Sequence, residues 1–144
     1  MSTGIQVTFD CADPAALSKF WAETLHYQLQ PPPEGFDTWE AALESWGVPK
    51  EDYNSASAVI DPDGKGPRLF FQRVPEPKSV KNRVHLDLHV SAGPGASAEE
   101  RKADIEPETE RLIALGAERV EARQERGEYF VVMRDPEGNE FCVC

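Results

Sequence analysis

Two segments of the chain alternate between apolar and polar residues, which predicts two strands that each bury one face. The first segment, residues 5–11, places these polar side chains on one face: Gln6, Thr8 and Asp10. The second segment, residues 84–90, places these on one face: His85, Asp87 and His89. The two polar triplets occupy corresponding positions, so the second strand is predicted to be a copy of the first.

A second repeated feature indicates that a whole module is duplicated. The sequence DPDGKGPRLFFQ, residues 61–72, returns as DPEGNEFCVC, residues 135–144, each time as a turn with Pro and Gly before a strand-like run. We therefore predict an α+β chain in which the order βαβββ occurs twice within one domain of residues 1–144. Module one covers residues 1–77 and module two covers residues 82–144.

Capping residues predict where the helices lie. Asp13 and Pro14 begin a helix, since the aspartate can accept from amides of the first turn and proline loses no hydrogen bond there. An inserted helix is predicted over residues 37–47 with Asp37 as its cap, and Pro107 is predicted to restart the helix of module two. The remaining strands are predicted at residues 27–30, 55–60, 69–74, 118–122, 129–134 and 140–143.

The inserted helix carries two tryptophans, Trp39 and Trp46, on one face. They could cover a binding pocket or pack against the body of the protein. Large aromatic residues at helical spacing favour packing.

Charge and composition exclude several classes of partner. The 144 residues include 15 basic and 26 acidic side chains, and the net charge of −11 repels nucleic acid and anionic membranes. No window approaches the roughly 20 apolar residues of a membrane span. Three cysteines are an odd number, typical of free thiols in a reducing compartment. We expect a cytoplasmic protein without a nucleic-acid or membrane partner.

Five motifs in a fixed order resemble the vicinal oxygen chelate superfamily, which includes glyoxalase I, the bleomycin-resistance proteins and extradiol dioxygenases. The motifs are VTFDCADPAALSKFW, RLFFQRVPEPK, VHLDLHV, LIALGAERV and DPEGNEFCV. The chain is most similar to the glyoxalase-like domain branch, over nearly its whole length apart from the inserted helix. The resemblance implies curled mixed sheets around a cleft shared by the two modules, and a homodimer.

The resemblance also implies four positions for a metal ion. Metal-using members take one ligand from the first strand and one from the last strand of each module. The matching residues here are Gln6, Gln72, His85 and Cys142. Metal-using relatives usually carry glutamate in each last strand, where this chain has an amide and a thiol. Because amides hold divalent ions poorly without a carboxylate, we expect no cofactor, with zinc, nickel or manganese as the alternative.

His85 and Asp87 form the candidate catalytic pair. They lie two residues apart on one face of a strand, about 6.6 Å along the backbone, so both can reach one ligand. A histidine beside a carboxylate can act as a general base, although a structural histidine is the alternative role. His89 lies about 13 Å from His85 and is not expected to share a metal with it; an ion pair with Asp10 is another use for it.

Two functions are consistent with these positions. The first is an enzyme, a lyase or isomerase, that holds a small oxygenated substrate against His85 and Asp87. The second is a protein without catalytic activity that sequesters a drug or antibiotic, as the resemblance to bleomycin-resistance proteins implies. The side chains predicted to contact either ligand are Thr8, Asp10, Phe70, His89, Tyr129, Glu140, Trp39 and Trp46.

Overall fold

The computed structural model describes residues 1–144, which divide into two compact units, Met1–Pro77 and Lys78–Cys144. Each unit contains one four-stranded sheet. No helix in either unit has the length and apolar character needed to span a membrane.

The first unit contains four strands and two α-helices. In chain order they are β1 (Val7–Cys11), α1 (Pro14–Leu25), β2 (Gln28–Leu29), α2 (Trp39–Ser45), β3 (Ala56–Ile60) and β4 (Leu69–Arg73). A short 3₁₀ helix, Lys50–Asp52, precedes β3. The strand order is β1-β4-β3-β2, with β1 parallel to β4 and the other pairs antiparallel.

Helix α1 covers the apolar face of the first sheet. The Asp13 carboxylate accepts from the amide of Ala16 and Pro14 stands at the first turn, which confirms the predicted start of the helix. The side chains that α1 buries include Leu17, Phe20 and Trp21. Because α1 covers that face, the polar side chains of β1 lie on the other one.

The second unit repeats this order with one long helix. Its elements are β5 (Leu86–Leu88), α3 (Ala98–Ala114), β6 (Glu118–Glu125), β7 (Glu128–Arg134) and β8 (Glu140–Val143). The strand order is β5-β8-β7-β6, with β5 parallel to β8. Its fully buried apolar side chains come from the helix and from two strands: Ile105, Leu112, Val131, Met133, Phe141 and Val143. The predicted α+β class and the repeated βαβββ order are therefore confirmed.

Two predicted helix boundaries were wrong. Helix α2 is capped by Thr38 and not by Asp37, since the Thr38 hydroxyl accepts from the amide of Ala41. Helix α3 runs through Pro107 without a break. Pro107 removes one hydrogen bond to the carbonyl of Ala103, and both residues are exposed, so water can reach that carbonyl.

Strand β5 is shorter than its alternating pattern predicts. Val84 and Val90, expected to be buried, are 81% and 38% exposed, and only Leu86–Leu88 form the strand. The cysteine prediction is confirmed, because none of Cys11, Cys142 and Cys144 takes part in a disulfide.

Candidate active site

The polar face of the second sheet forms a groove of about 560 Å³. The strands β5 and β8 and the residues beside them contribute six side chains: His85, Asp87, His89, Glu140, Cys142 and Cys144. The neighbouring strands β7 and β6 contribute the rest of the lining, which includes Glu121, Arg123, Phe130, Val132 and Arg134. Clefts of this size accept small organic molecules.

His85 and Asp87 lie in contact within this groove. The Nδ1 atom of His85 is 3.1 Å from Oδ1 of Asp87, and their side chains are 45% and 50% exposed. The contact follows from local geometry, since side chains two residues apart point to the same face of a strand. An aspartate that accepts from Nδ1–H leaves Nε2 as a proton acceptor directed away from the pair. The pair can therefore take a proton from a ligand in the groove.

Cys142 is the third member of this cluster. Potential ligand atoms of His85, Asp87 and Cys142 all lie within 4.8 Å of one another, because Asp87 and Cys142 are opposite one another in the parallel β5–β8 pair. Burial, and next the negative charge of Asp87, raise the pKa of the Cys142 thiol to about 11. At neutral pH Cys142 is therefore a neutral thiol beside a carboxylate.

The raised pKa predicts slow alkylation of Cys142. Relative to an ordinary thiol pKa of 9.0, the value of about 11 lowers the thiolate fraction at pH 8 about a hundredfold. A more basic thiolate is also more nucleophilic, which offsets about tenfold of this, so we expect reaction with iodoacetamide to be about tenfold slower. Site-resolved mass spectrometry can compare Cys142 in the native chain with the same residue in guanidinium. Equal rates in the two states would contradict the prediction.

Most of the remaining charges of the groove are paired. Lys81 donates to Glu140, whose side chain is 12% exposed, and this contact lowers the pKa of the Glu140 carboxyl. Arg123 donates to Glu121 at 2.6 Å. Glu140 was predicted to contact a ligand; it lines the groove, with its charge balanced by Lys81. The groove therefore presents the His85–Asp87 pair between charges that largely cancel.

The donor atoms of the His85, Asp87 and Cys142 cluster fit a zinc-like ion better than a hard one. An imidazole nitrogen, a carboxylate oxygen and a sulfur are all zinc ligands, whereas manganese and magnesium prefer oxygen. Zinc–ligand bonds of about 2.0–2.3 Å place ligand atoms roughly 3–4 Å apart, so the cluster, within 4.8 Å, needs only a small closure. A bound ion would also have to displace the thiol proton of Cys142.

The first sheet does not bring Gln6 and Gln72 together as the predicted metal positions require. Gln72 lies opposite Asp10 in the β1–β4 register and donates to its carboxylate at 2.7 Å. Gln6 is four residues from Asp10, about 13 Å along β1, and accepts from Arg68 at 2.8 Å. The two amides are at opposite ends of the strand pair, so they cannot hold one ion.

The strand registers also give Cys142 a different counterpart in the first unit. In the second sheet, Cys142 lies opposite Asp87. The residue of the first unit that corresponds to Asp87 is Thr8, and Thr8 lies opposite Phe70. Phe70 therefore stands where Gln72 was expected to. The stretch from Asp61 to Phe70 is two residues longer than the stretch from Asp135 to Cys142, whereas matching Gln72 with Cys142 requires a difference of four.

Tyr129 was predicted to contact a ligand, and this prediction was wrong. It is 7% exposed and shares the buried face of β7 with Val131 and Met133, where its hydroxyl donates to Glu106 of α3. The groove instead receives the alternate residues of β7, of which Phe130 is an example. The alternation along β7 shows that Tyr129 and Phe130 point to opposite faces of the strand. It does not show which face is buried, because both faces carry apolar residues.

The other predicted contacts divide between the two units. His89 lies in the groove of the second unit, and its Nδ1 is 3.3 Å from the Cys144 sulfur. In the first unit, Thr8 lies on the exposed face of β1, and Trp39 and Phe70 line a separate cavity of about 510 Å³. Trp39 and Trp46 are 38% and 56% exposed, and Trp46 contacts Phe36, so the expected packing of both tryptophans in the core was wrong.

One protein-family model matches the chain over nearly its whole length. It describes the "Glyoxalase-like domain" family and matches residues 6–144. No curated protein matches the sequence.

Solved structures share the fold at low sequence identity. A glyoxalase/bleomycin resistance/dioxygenase family enzyme from Burkholderia phytofirmans PsJN is 17% identical, with a TM-score of 0.62, over 96% of this chain and 94% of that one. A glyoxalase-related enzyme from Fulvimarina pelagi is 16% identical, with a TM-score of 0.61, over 99% and 87%. A variant of the fosfomycin resistance protein FosX from Listeria monocytogenes, complexed with Mn(II) and 1S,2S-dihydroxypropylphosphonic acid, is 14% identical, with a TM-score of 0.59, over 99% and 90%.

Proposed function

The chain belongs to the glyoxalase-like domain family, and we propose that it binds a small oxygenated molecule in the groove of its second sheet and moves a proton on it. The observation that carries this proposal is the 3.1 Å contact between His85 and Asp87 on the groove surface. The reaction class is that of a lyase or isomerase. Both need a base that removes a proton from carbon and an acid that returns one.

The proposed roles follow from the hydrogen bond between the pair. Asp87 accepts from Nδ1–H of His85, which holds the ring in one tautomer and stabilises the imidazolium that forms after proton transfer. Nε2 of His85 takes the proton from a carbon next to a carbonyl or hydroxyl group of the ligand. The imidazolium then returns the proton to a neighbouring atom in an isomerisation, or to the leaving group in an elimination. Asp87 is the positioning residue and His85 the catalytic one.

The walls of the groove support a ligand of mixed character. Phe130 and Val132 supply an apolar surface on the same face of the sheet as the polar pair, and Arg134 lies beside them. An oxygenated carbon skeleton can pack on the apolar wall while its oxygens point towards His85. This division resembles the usual organisation of small-molecule sites, in which few polar groups fix the orientation.

A metal ion is the proposed alternative use of the site, because an ion bound by both His85 and Asp87 would replace the hydrogen bond that orients His85 as a base. His85, Asp87 and Cys142 would hold it, and a zinc or nickel ion there would polarise an oxygen of the ligand as a Lewis acid. Elemental analysis of protein purified without chelators measures its presence. One equivalent of metal that is lost on His85→Gln substitution supports the three-residue site; metal retained by that variant contradicts it.

A second function, sequestration without turnover, is favoured by one observation. The two positions where metal-using relatives carry glutamate hold Phe70, by strand register, and Cys142, so neither supplies a carboxylate. A site of this kind can retain a drug or antibiotic without activating it. The FosX proteins from Listeria monocytogenes and Mesorhizobium loti, which share the fold, are described as fosfomycin resistance proteins, which is consistent with small-molecule binding in this fold.

Proton exchange in D₂O separates the two functions. The purified chain is incubated with hydroxyketones, 2-oxo acids, epoxides and hemithioacetals, and NMR follows both exchange at carbon and conversion. We expect deuterium uptake or conversion in at least one class above a boiled-protein control. Compounds that bind and are recovered unchanged and unexchanged would identify a sequestering protein and contradict proton transfer.

We also propose that the chain forms a homodimer in the cytoplasm, as the resemblance to its family implies. Light scattering after size-exclusion chromatography measures the mass of the particle in solution. We expect twice the 16.0 kDa of one chain. A mass equal to that of a single chain at micromolar concentration contradicts the dimer.

A further inference from the structure

We propose that the first unit contains a separate pocket for a planar aromatic carboxylate, with Arg68 as the residue that binds the carboxylate group. This pocket is the cavity of about 510 Å³ next to β3 and β4. It lies on a different sheet from His85, so it does not depend on the function proposed for the second unit.

The guanidinium of Arg68 is held in place by two neutral groups. Its Nε donates to Oε1 of Gln30 at 2.7 Å, and its Nη1 donates to Oε1 of Gln6 at 2.8 Å. Its Cζ lies 5.3 Å from the centre of the Phe70 ring. A guanidinium has five N–H donors, so three remain after these two contacts. Arg68 is therefore fixed in position and still able to bind an acceptor.

The charge of Arg68 is not balanced by a neighbour. None of the ion pairs in the structure includes Arg68, although the net charge of the chain is −11. Lys19 and Glu40 also line the cavity and cancel each other in net charge, which leaves the single positive charge of Arg68. The planar fork of a guanidinium matches a carboxylate through two parallel hydrogen bonds. An anion of this shape is the ligand that the charge favours.

The walls of the cavity favour a flat aromatic group beside that carboxylate. Ala56 and Ala58 are on the same face of β3 as Phe70 is on β4, and their small side chains leave space above the sheet. Trp39 lines the cavity, and its indole N–H donates to the backbone oxygen of Gln30 at 2.8 Å, which fixes the ring. Aromatic rings packed on such surfaces gain from both burial and stacking. Phe70 and Trp39 thus supply aromatic contacts near the cation.

A matched pair of probes tests this proposal by calorimetry on the whole chain. The first probe is 2-naphthoate and the second is 2-naphthamide, which has the same ring and no charge. We expect saturable binding of one naphthoate per chain, at least about tenfold tighter than naphthamide, as one charge-assisted contact at a partly exposed site gives. Equal affinity for the two probes, or no saturable binding of naphthoate up to millimolar concentration, would overturn the proposal.

Two variants identify Arg68 as the source of the preference. Arg68→Gln is expected to remove the preference for naphthoate over naphthamide, and the matched control Arg83→Gln, which changes the net charge equally outside the cavity, is expected to keep it. Circular dichroism checks that both fold. A preference that survives in Arg68→Gln, or that is lost equally in Arg83→Gln, would overturn the assignment. Loss of turnover in the second unit with naphthoate binding intact would refute only the proton-transfer function.

Discussion

Substitution of His85 by Gln is expected to lower the rate of proton exchange on a responsive compound by about two to four orders of magnitude. That is the usual contribution of a general base, and glutamine can still donate and accept hydrogen bonds but cannot carry the proton. Binding of the compound is expected to change little, because the groove walls formed by Phe130 and Val132 are retained. The measurement is deuterium uptake in D₂O together with the dissociation constant from calorimetry.

Two further variants separate the roles of the pair. Asp87→Asn is expected to lower kcat about tenfold or more while KM stays close to the wild-type value, because the amide no longer stabilises the imidazolium. His26→Gln is the matched control, since His26 lies at the end of α1 in the first unit and outside the groove. The assignment of His85 fails if His85→Gln and His26→Gln exchange deuterium at the same rate.

The His85–Asp87 contact could be predicted from sequence because it is local. Residues that are two positions apart on one strand share a face whatever the strand packs against. The structure places Nδ1 of His85 3.1 Å from Oδ1 of Asp87. The start of α1 was predictable for the same reason, since the capping contact joins Asp13 to an amide three residues later. Contacts within one strand or helix can be predicted because they depend on the local backbone geometry and not on how distant segments pack.

Tyr129 shows why the phase of a strand is harder to predict. Along β7, Tyr129 and Val131 alternate with Phe130 and Val132, so both faces read as apolar. Alternation gives the period of the strand, but only packing against α3 decides which set is buried. The β7 residues that line the groove, such as Arg134, were missed for this reason.

Gln72 shows the same limit for register between strands. The repeats align well by their DPDG and DPEG turns, yet the first turn is longer, and Gly66 lies within the added stretch. A side chain at residue 66 would clash with the Tyr27 hydroxyl, and the Gly66 amide donates to Asp61, so the extra residues form a specific turn. Sequence alone does not show how such a turn shifts the pairing of β1 with β4.

Substitution of Glu106 by Gln is expected to destabilise the folded chain at neutral pH by about 2 kcal/mol, the loss of a partly exposed, charge-assisted contact. Arg119 donates two hydrogen bonds to the Glu106 carboxylate, at 2.7 and 2.9 Å, and Tyr129 donates a third, so the contact ties α3 to β6 and β7. Chiefly the Arg119 contact, and then that of Tyr129, lower the pKa of Glu106 from 4.5 to about 2. That shift corresponds to about 3 kcal/mol, which partial exposure of the pair reduces.

The pH dependence of this loss follows from the direction of the shift. A carboxyl whose pKa is lower in the folded state stabilises that state fully above its unfolded value near 4.5. The contribution is lost as the pH falls from 4.5 towards about 2, so the wild type and Glu106→Gln should approach each other in stability there. Urea denaturation at pH 7 and at pH 3 measures the difference between the two proteins.

Glu110→Gln provides the control for this measurement. Glu110 is exposed on the same helix, so the substitution removes the same charge without removing a contact to β6 or β7. We expect it to change the free energy of unfolding by less than about 0.5 kcal/mol. Two results would show that the Glu106 charge does not hold the helix on the sheet. In the first, Glu106→Gln lowers the free energy of unfolding no more than Glu110→Gln does. In the second, Glu106→Gln lowers it as much at pH 3 as at pH 7.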